Sequence, residues 1–334
     1  MKMTACRRDF HKKGPWATVC PPAGDENHRS PARDFHEKNQ RKQTGNHARQ
    51  GESVIITMME KGPTLMRIVS LCPSNTELLA YLGRLDDVVA VDDSSDWPPE
   101  VKRLPKVGPD LRIDMDQVEA LKPDLVVASL SVPGMERNVE ELKRRGLPHL
   151  VLAPNSLNDI ANDLLRLGEA LGETKKAAEL VRRYDDVLDW HRERAASAEP
   201  ARLYWEWWPR PIFTPGGANW LSELSELAGG RNIFADYPQA SVRPEWDDVL
   251  TRNPSHILLV WVGVQTKKMS PKAVMVRPNA QQAEAVRTGN IHLLEEALYC
   301  RPSPRLLVGL KKLAPLLHPA LFPPADDSDP LLCG

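Results

Sequence analysis

No stretch of this 334-residue chain reaches the roughly 18 apolar residues that a membrane-crossing helix needs. The first 60 residues also lack the apolar core of a secretory signal. Cysteine is scarce and odd in number: Cys6, Cys20, Cys72, Cys300 and Cys333. That excludes a paired disulfide framework and makes reduced thiols the expectation. No surplus of either charge exists, with 44 Lys+Arg against 45 Asp+Glu. A general nucleic-acid binder would need a basic excess, so that class is set aside. Catalytic signatures are missing too. There is no G-x-S-x-G, no phosphate loop and no H-E-x-x-H, and Pro215-Gly216-Gly217 is too short for a dinucleotide fingerprint. An enzyme is left without a positive signal.

What is present is a core-forming composition, 41% hydrophobic and 27% charged, long enough for one large or two medium domains. Residues 1–65 stand apart as a polar leader with Arg7, Arg8, Lys12, Lys13, Arg41 and Lys42. Cys6, His11, Cys20 and His28 fit no standard zinc spacing, so disorder is the preferred reading. No apolar run precedes Cys20, which sets lipid attachment aside. Met66 directly precedes the first convincing strand. The expectation is a true start near Met58, Met59 or Met66.

From Arg67 onward strand and helix alternate, the pattern of a mostly parallel sheet covered by helices. Ser74-Asn75-Thr76-Glu77 has the form of a capping box. Residues 66–155 read as an N-terminal α/β lobe and 156–199 as linker helices. Within the linker, Thr174 to Ala195 places Ala177, Val181, Tyr184 and Leu188 at helical spacing, with His191 as a half-buried surface residue. Residues 200–320 read as a second α/β lobe, and 321–334 as a frayed acidic tail. The fold class is therefore α/β, two parallel-sheet lobes joined by one long rigid helix.

An internal echo supports two lobes on one plan. Asp116-Gln117-Val118 reaches Pro123 and then an apolar run; Asp247-Asp248-Val249 reaches Pro254 and then another. The acid-to-Pro interval is the same in both. Each acid either favours its helix N-terminus through the dipole or serves as one of two symmetric posts for a basic partner.

Tryptophan outnumbers phenylalanine and tyrosine, nine against five and five. Trp205, Trp207 and Trp208 cluster in the chain, and alternation puts Trp205 and Trp207 on one strand face. Such rings suit a large flat ligand with polar edges. Trp190 and Trp261 read as ordinary core.

The run Arg67-Ile68-Val69-Ser70-Leu71-Cys72-Pro73-Ser74-Asn75-Thr76-Glu77-Leu78 resembles the opening of the iron-siderophore/cobalamin class of ABC-importer binding proteins. Asp96-Trp97-Pro98-Pro99, Leu121-Lys122-Pro123-Asp124, Phe213-Thr214-Pro215-Gly216 and Leu227-Ala228-Gly229-Gly230-Arg231-Asn232 agree with it in order. The resemblance covers Met66 to Leu317 and is nearest the cobalamin-binding branch. It implies a ligand in the cleft between two lobes and only modest closure. It also implies two acidic posts, Asp116 and Asp247, facing arginines of a dimeric permease. The family usually has Glu there, so each post is one methylene shorter. Phe213 falls on a ligand-stacking position. Other aromatic positions of the family fall here on Ser94, Asp110, Ser129 and Ser241. Trp97, Trp205, Trp207 and Trp208 are the expected substitutes, with Glu206, Arg210 and Arg243 as polar contacts on the rim.

Taken together, the expectation is a non-catalytic, monomeric binding protein without resident cofactor or metal. Its ligand would be cobalamin or a related corrinoid, delivered to an ABC permease. A haem or ferric-siderophore binder of the same fold is the second reading. An intracellular corrinoid-binding or corrinoid-processing protein is the third. The resemblance implies work in the periplasm or at the cell surface, whereas the chain as given, with no signal segment, reads as cytoplasmic.

Overall fold

The computed structural model describes residues 65–332. The expectations placed on Cys6, His11, Cys20, His28, Cys333, Met58 and Met59 lie outside those residues.

The N-terminal lobe runs β1 (Ile68–Ser70), α1 (Pro73–Tyr81), β2 (Val88–Val91), α2 (Met115–Ala120), β3 (Leu125–Ser129), α3 (Glu136–Arg145) and β4 (His149–Leu152). Its sheet is parallel, in the order β2-β1-β3-β4, with Ile68 opposite Leu125. The strands are short and rich in Val because helices cover both faces. Asp114 caps α2 by accepting the backbone N–H groups of Asp116 and Gln117, each at 3.1 Å. Gly146 ends α3 with φ of 66°, a left-handed conformation that carries no Cβ penalty in glycine.

Two helices lead out of this lobe. A capping box of Ser156 and Asp159 starts α4 (Leu157–Ala170). The next, α5 (Thr174–Ala195), has 22 residues and spans about 33 Å at 1.5 Å per residue. The C-terminal lobe follows: β5 (Ala201–Glu206), β6 (Trp208–Pro209), β7 (Ile212–Pro215), α6 (Trp220–Leu227), β8 (Gly230–Asn232), β9 (Ser241–Val242), α7 (Trp246–Arg252), β10 (His256–Leu259), α8 (Lys272–Met275), α9 (Glu284–Thr288), β11 (Ile291–Leu293) and α10 (Leu306–Leu317). Its main sheet is parallel, in the order β11-β10-β5-β8. A small antiparallel sheet, β6-β7-β9, stands beside it. The internal echo has a structural counterpart. In each lobe the short helix, α2 or α7, leads into an interior strand, β3 or β10, and the acid is the helix's second residue.

One hydrophobic cluster runs through both lobes. It joins Leu78 and Tyr81 of α1, Leu164 of α4, Tyr184 of α5, Leu224 of α6 and Leu310 of α10. Two smaller clusters lie apart from it, one within each lobe. A shared core of this kind resists wide separation of the lobes.

Glu77 departs from its expected place. Cys72, not Ser74, is the N-cap residue of α1, and no side chain caps that helix. Glu77 is 1% exposed and reaches across to the second lobe. Its carboxylate accepts from Arg301 at 3.2 Å, from Arg305 at 3.0 Å and from the Ser303 hydroxyl. Arg301 also meets Asp96 at 2.6 Å and Glu296 at 3.3 Å.

The tail expected to fray is anchored instead. The Tyr81 hydroxyl donates to Asp329 at 2.5 Å, and Arg183 donates to the Pro330 carbonyl at 3.0 Å. Phe322 and Leu331 are buried. Phe322 stacks on His191 with centroids 5.3 Å apart. His191 is thus a core residue, 2% exposed, rather than a half-buried surface one. The tail's bulky apolar residues decide this, because its acidic run alone would stay in water.

Asp329→Ala leaves the hydroxyl of the buried Tyr81 without its acceptor. It is expected to cost about 1–3 kcal/mol in urea unfolding; an unchanged midpoint would mean a loose tail. Burial lowers His191 from 6.5 to about 4. The unfolded chain therefore takes up that proton first, and stability falls as pH drops from 6.5 to 4. His191→Phe removes this contribution, so its loss of stability between pH 7 and pH 5 is expected to be smaller than that of the parent.

Candidate ligand-binding site

Ligands of parallel α/β sheets sit beyond the carboxyl ends of the strands. In the C-terminal lobe β5 ends at Glu206 and β10 at Leu259. The chain just past them carries Trp207, Trp208 and Trp261. A groove of about 980 Å³ lies there, lined by Arg210, Ile212, Arg243, Trp246, Trp261 and Arg277 among others.

Its inner wall is organised by Glu206, which is fully buried. Arg277 donates to both carboxylate oxygens, at 2.7 and 2.9 Å. The Tyr204 hydroxyl donates at 2.7 Å and the Trp261 indole N–H at 3.1 Å. Four donors on one carboxylate compensate its removal from water. Burial and the adjoining carboxylate push the Tyr204 phenol well above its ordinary value, so it remains a donor. Arg277 also lies 4.8 Å from the centre of the Trp246 ring. The Trp246 N–H is held by the Pro278 carbonyl at 2.9 Å.

The rim is carried by the β6–β7 hairpin. Phe213 pairs with Trp208 in register, and the Arg243 guanidinium lies 5.3 Å from the Phe213 ring centre. The Trp208 N–H donates to the Arg210 carbonyl at 3.1 Å. Gly216 lets the hairpin's end approach the 235–240 segment; a Cβ there would collide with the Gln239 carbonyl.

Of the expected site residues, Phe213, Trp208 and Arg243 come together on this rim. Ser241 opposes Pro215 in the same small sheet and is exposed. Trp207 is half-buried, packed against the central core. Trp205 is a correction: its ring is fully buried, its N–H is bound by the Ser225 hydroxyl at 2.9 Å, and Tyr299 packs against it at 5.5 Å. Strand alternation turned it toward the helices. Glu206 is a second correction, since its carboxylate is consumed inside the wall rather than offered at the rim. Trp261 is a third: expected in the core, it lines the groove, because β10 ends two residues earlier. Trp190 is half-buried against the central core, with the Arg194 guanidinium 3.6 Å from its ring centre.

Trp97 lies in the other lobe, 5.4 Å from the Tyr81 ring and 4.7 Å from the Arg305 guanidinium. Ser94 is exposed, and its backbone N–H is bound by Asp92 at 2.8 Å. Asp116 is 86% exposed and pairs with Arg145 at 2.7 Å. Asp247 is exposed and lines the groove. Trp246 and Arg277 were missed by sequence reasoning. Trp246 directly precedes Asp247, which was one usable signal; Arg277 sits in an irregular segment that gave none. Among the described residues no group of three or more His, Cys, Asp and Glu forms a metal site. Burial pushes the Cys72 thiol up to about 12, so it stays protonated.

Residues 68–298 match the family described as periplasmic binding protein. The chain belongs to this family. Its members are substrate-binding proteins of the periplasm rather than enzymes, and the two-lobed α/β architecture is theirs. The vitamin B12-binding protein of Yersinia pestis (strain Pestoides F) is 30% identical over 255 residues, covering 74% of this chain and 84% of that protein. The vitamin B12-binding protein of Vibrio parahaemolyticus is 29% identical over 245 residues, 72% of this chain and 85% of its relative. Among solved structures, the periplasmic vitamin B12-binding protein of Vibrio cholerae superposes with a TM-score of 0.64 at 26% identity, covering 75% of this chain and 96% of that one. A periplasmic haem-binding protein from Roseiflexus reaches 0.68 at 23% identity, covering 77% and 100%, which speaks to the fold. No helix among the described residues is long and apolar enough to cross a membrane.

The buried pair gives a direct test of how the groove wall is built. Glu206→Gln leaves the Arg277 guanidinium, 12% exposed, without a counter-charge. The expected loss is about 3–5 kcal/mol in urea unfolding. A loss below 1 kcal/mol would show that the carboxylate does not hold the wall.

Proposed function

We infer that this protein is the substrate-binding component of an ABC importer and that its ligand is cobalamin or a related corrinoid. The observation that carries the reading is the 30% identity to a vitamin B12-binding protein across most of both chains. The site chemistry agrees with it. Phe213 and Trp208 supply flat apolar surface to a macrocycle, and the arginines beside them suit its polar edges. The groove lining of the C-terminal lobe contains no His, Tyr or Met, so an iron ligand for haem would have to come from outside it. The shared core and the Glu77–Arg301 contact across the lobes support small closure movements rather than a wide hinge. Asp116 and Asp247, at equivalent places in the two lobes, are the acids that would meet basic residues of a dimeric permease.

Isothermal titration of the full chain with cobalamin is expected to show one site at micromolar Kd or tighter, about −8 kcal/mol. Phe213→Ala is expected to weaken it tenfold or more. Silence with cobalamin and saturation with haem or a ferric siderophore would replace the ligand. Asp116→Lys is expected to abolish association with the cognate permease in a pull-down while the cobalamin titration is unchanged. Retained association would remove the docking role.

A further inference from the structure

No acid occurs between Asp248 and Glu284, a span whose charged residues are Arg252, Lys267, Lys268, Lys272 and Arg277. The chain as a whole is balanced, with 44 bases against 45 acids, so this span is a local basic excess. Both of its arginines are neutralised. Arg252 pairs with Asp236 at 2.8 Å and Arg277 with Glu206 at 2.7 Å. The lysines are not. All three are exposed, and among the described residues no carboxylate pairs with any of them.

Apolar side chains stand among these lysines. Met269 and Val274 are buried, and with the Arg277 anchor they fasten the segment to the lobe. Met275 and Val276 are left in water, 48% and 79% exposed. Val276 is the most exposed large apolar residue among the described residues. One such residue is ordinary on a surface, whereas two side by side among unpaired lysines make an amphipathic tip. At an anionic bilayer the apolar groups enter the headgroup layer and the ammonium groups stay beside the phosphates. A nucleic acid would engage the lysines and leave Met275 and Val276 uncovered.

Position points the same way. Val276 and Asp247 line one groove, so the tip stands beside the acid assigned above to the permease. A face that meets a membrane-embedded permease has lipid headgroups around it. We propose that Lys267, Lys268, Lys272, Met275 and Val276 form a contact surface for anionic phospholipid headgroups, which holds the protein reversibly at the bilayer. The choice of a bilayer over an acidic protein rests on the importer reading; the charge and exposure of the tip do not.

The test is co-sedimentation of the full chain with vesicles of phosphatidylcholine alone and of phosphatidylcholine mixed with phosphatidylglycerol, with no permease present. Partitioning onto the anionic vesicles is expected to be at least tenfold the stronger, and added salt is expected to weaken it. The triple variant Lys267→Gln, Lys268→Gln, Lys272→Gln is expected to lower that partitioning at least tenfold. Its urea midpoint is expected to match the parent's, because the lysines hold no ion pair. Val276→Ser is expected to lower partitioning about threefold and to keep the salt dependence. No partitioning, equal partitioning onto both vesicles, or partitioning undiminished in the triple variant would overturn the contact surface. Partitioning only onto vesicles that carry the permease would overturn it too and assign the tip to a protein partner. A dimer that forms without vesicles and is lost in Val276→Ser would overturn it by assigning the tip to a second copy of the chain. Failure of cobalamin to bind would overturn the corrinoid reading and leave the vesicle result standing.

Discussion

A single buried carboxylate, Glu77, ties the two lobes together. It sits on the first helix of one lobe and is bound by two arginines and a serine of the other. Removing such a charge from water is tolerable only when donors surround it, and here they come from 224 to 228 residues away in sequence. The contact therefore forms only when both lobes are in place. Arg305 also lies over Trp97, so the same knot fixes an aromatic ring of the N-terminal lobe. The tail adds a further tie at Tyr81, the ring on which Trp97 packs. A rigid α5 and a continuous core complete a frame with little freedom to open.

The C-terminal lobe repeats the device on a smaller scale. Glu206 is a fully buried acid that gathers Arg277, Tyr204 and Trp261. One acid thus orients the lobes, and the other orients the wall of a groove. Neither is exposed, yet each fixes a neighbouring aromatic ring, Trp97 through Arg305 and Trp261 directly. Asp116 and Asp247 lie at the start of matched helices, displayed to solvent on frames that the buried acids hold still.

Much of the fold was legible because its signals are local. The spacing of Ala177, Val181, Tyr184 and Leu188 marked α5 within the 156–199 linker segment. The echo around Asp116 and Asp247 marked two helix–strand units with matched places in their sheets. The site was legible only in part. Phe213 and Trp208 pair in one hairpin, so chain proximity foretold their association, whereas Arg243 joins Phe213 from just past β9. Trp205 and Trp261 were exchanged, core for groove, because a strand's ends and facing decide exposure, and those depend on what packs against it.

By itself the sequence determined the family, the α/β lobes and the linker helix, since apolar periodicity, caps and turns act over a few residues. It also carries no recognised catalytic motif. Only the tertiary structure decided the partners of Glu77 and Glu206, the docking of the tail, the burial of His191 and the two indoles lining the groove. Each of these depends on desolvating a polar group beside residues remote in the chain. The energy of such a group is set by its neighbours in space, which no local pattern of residues records.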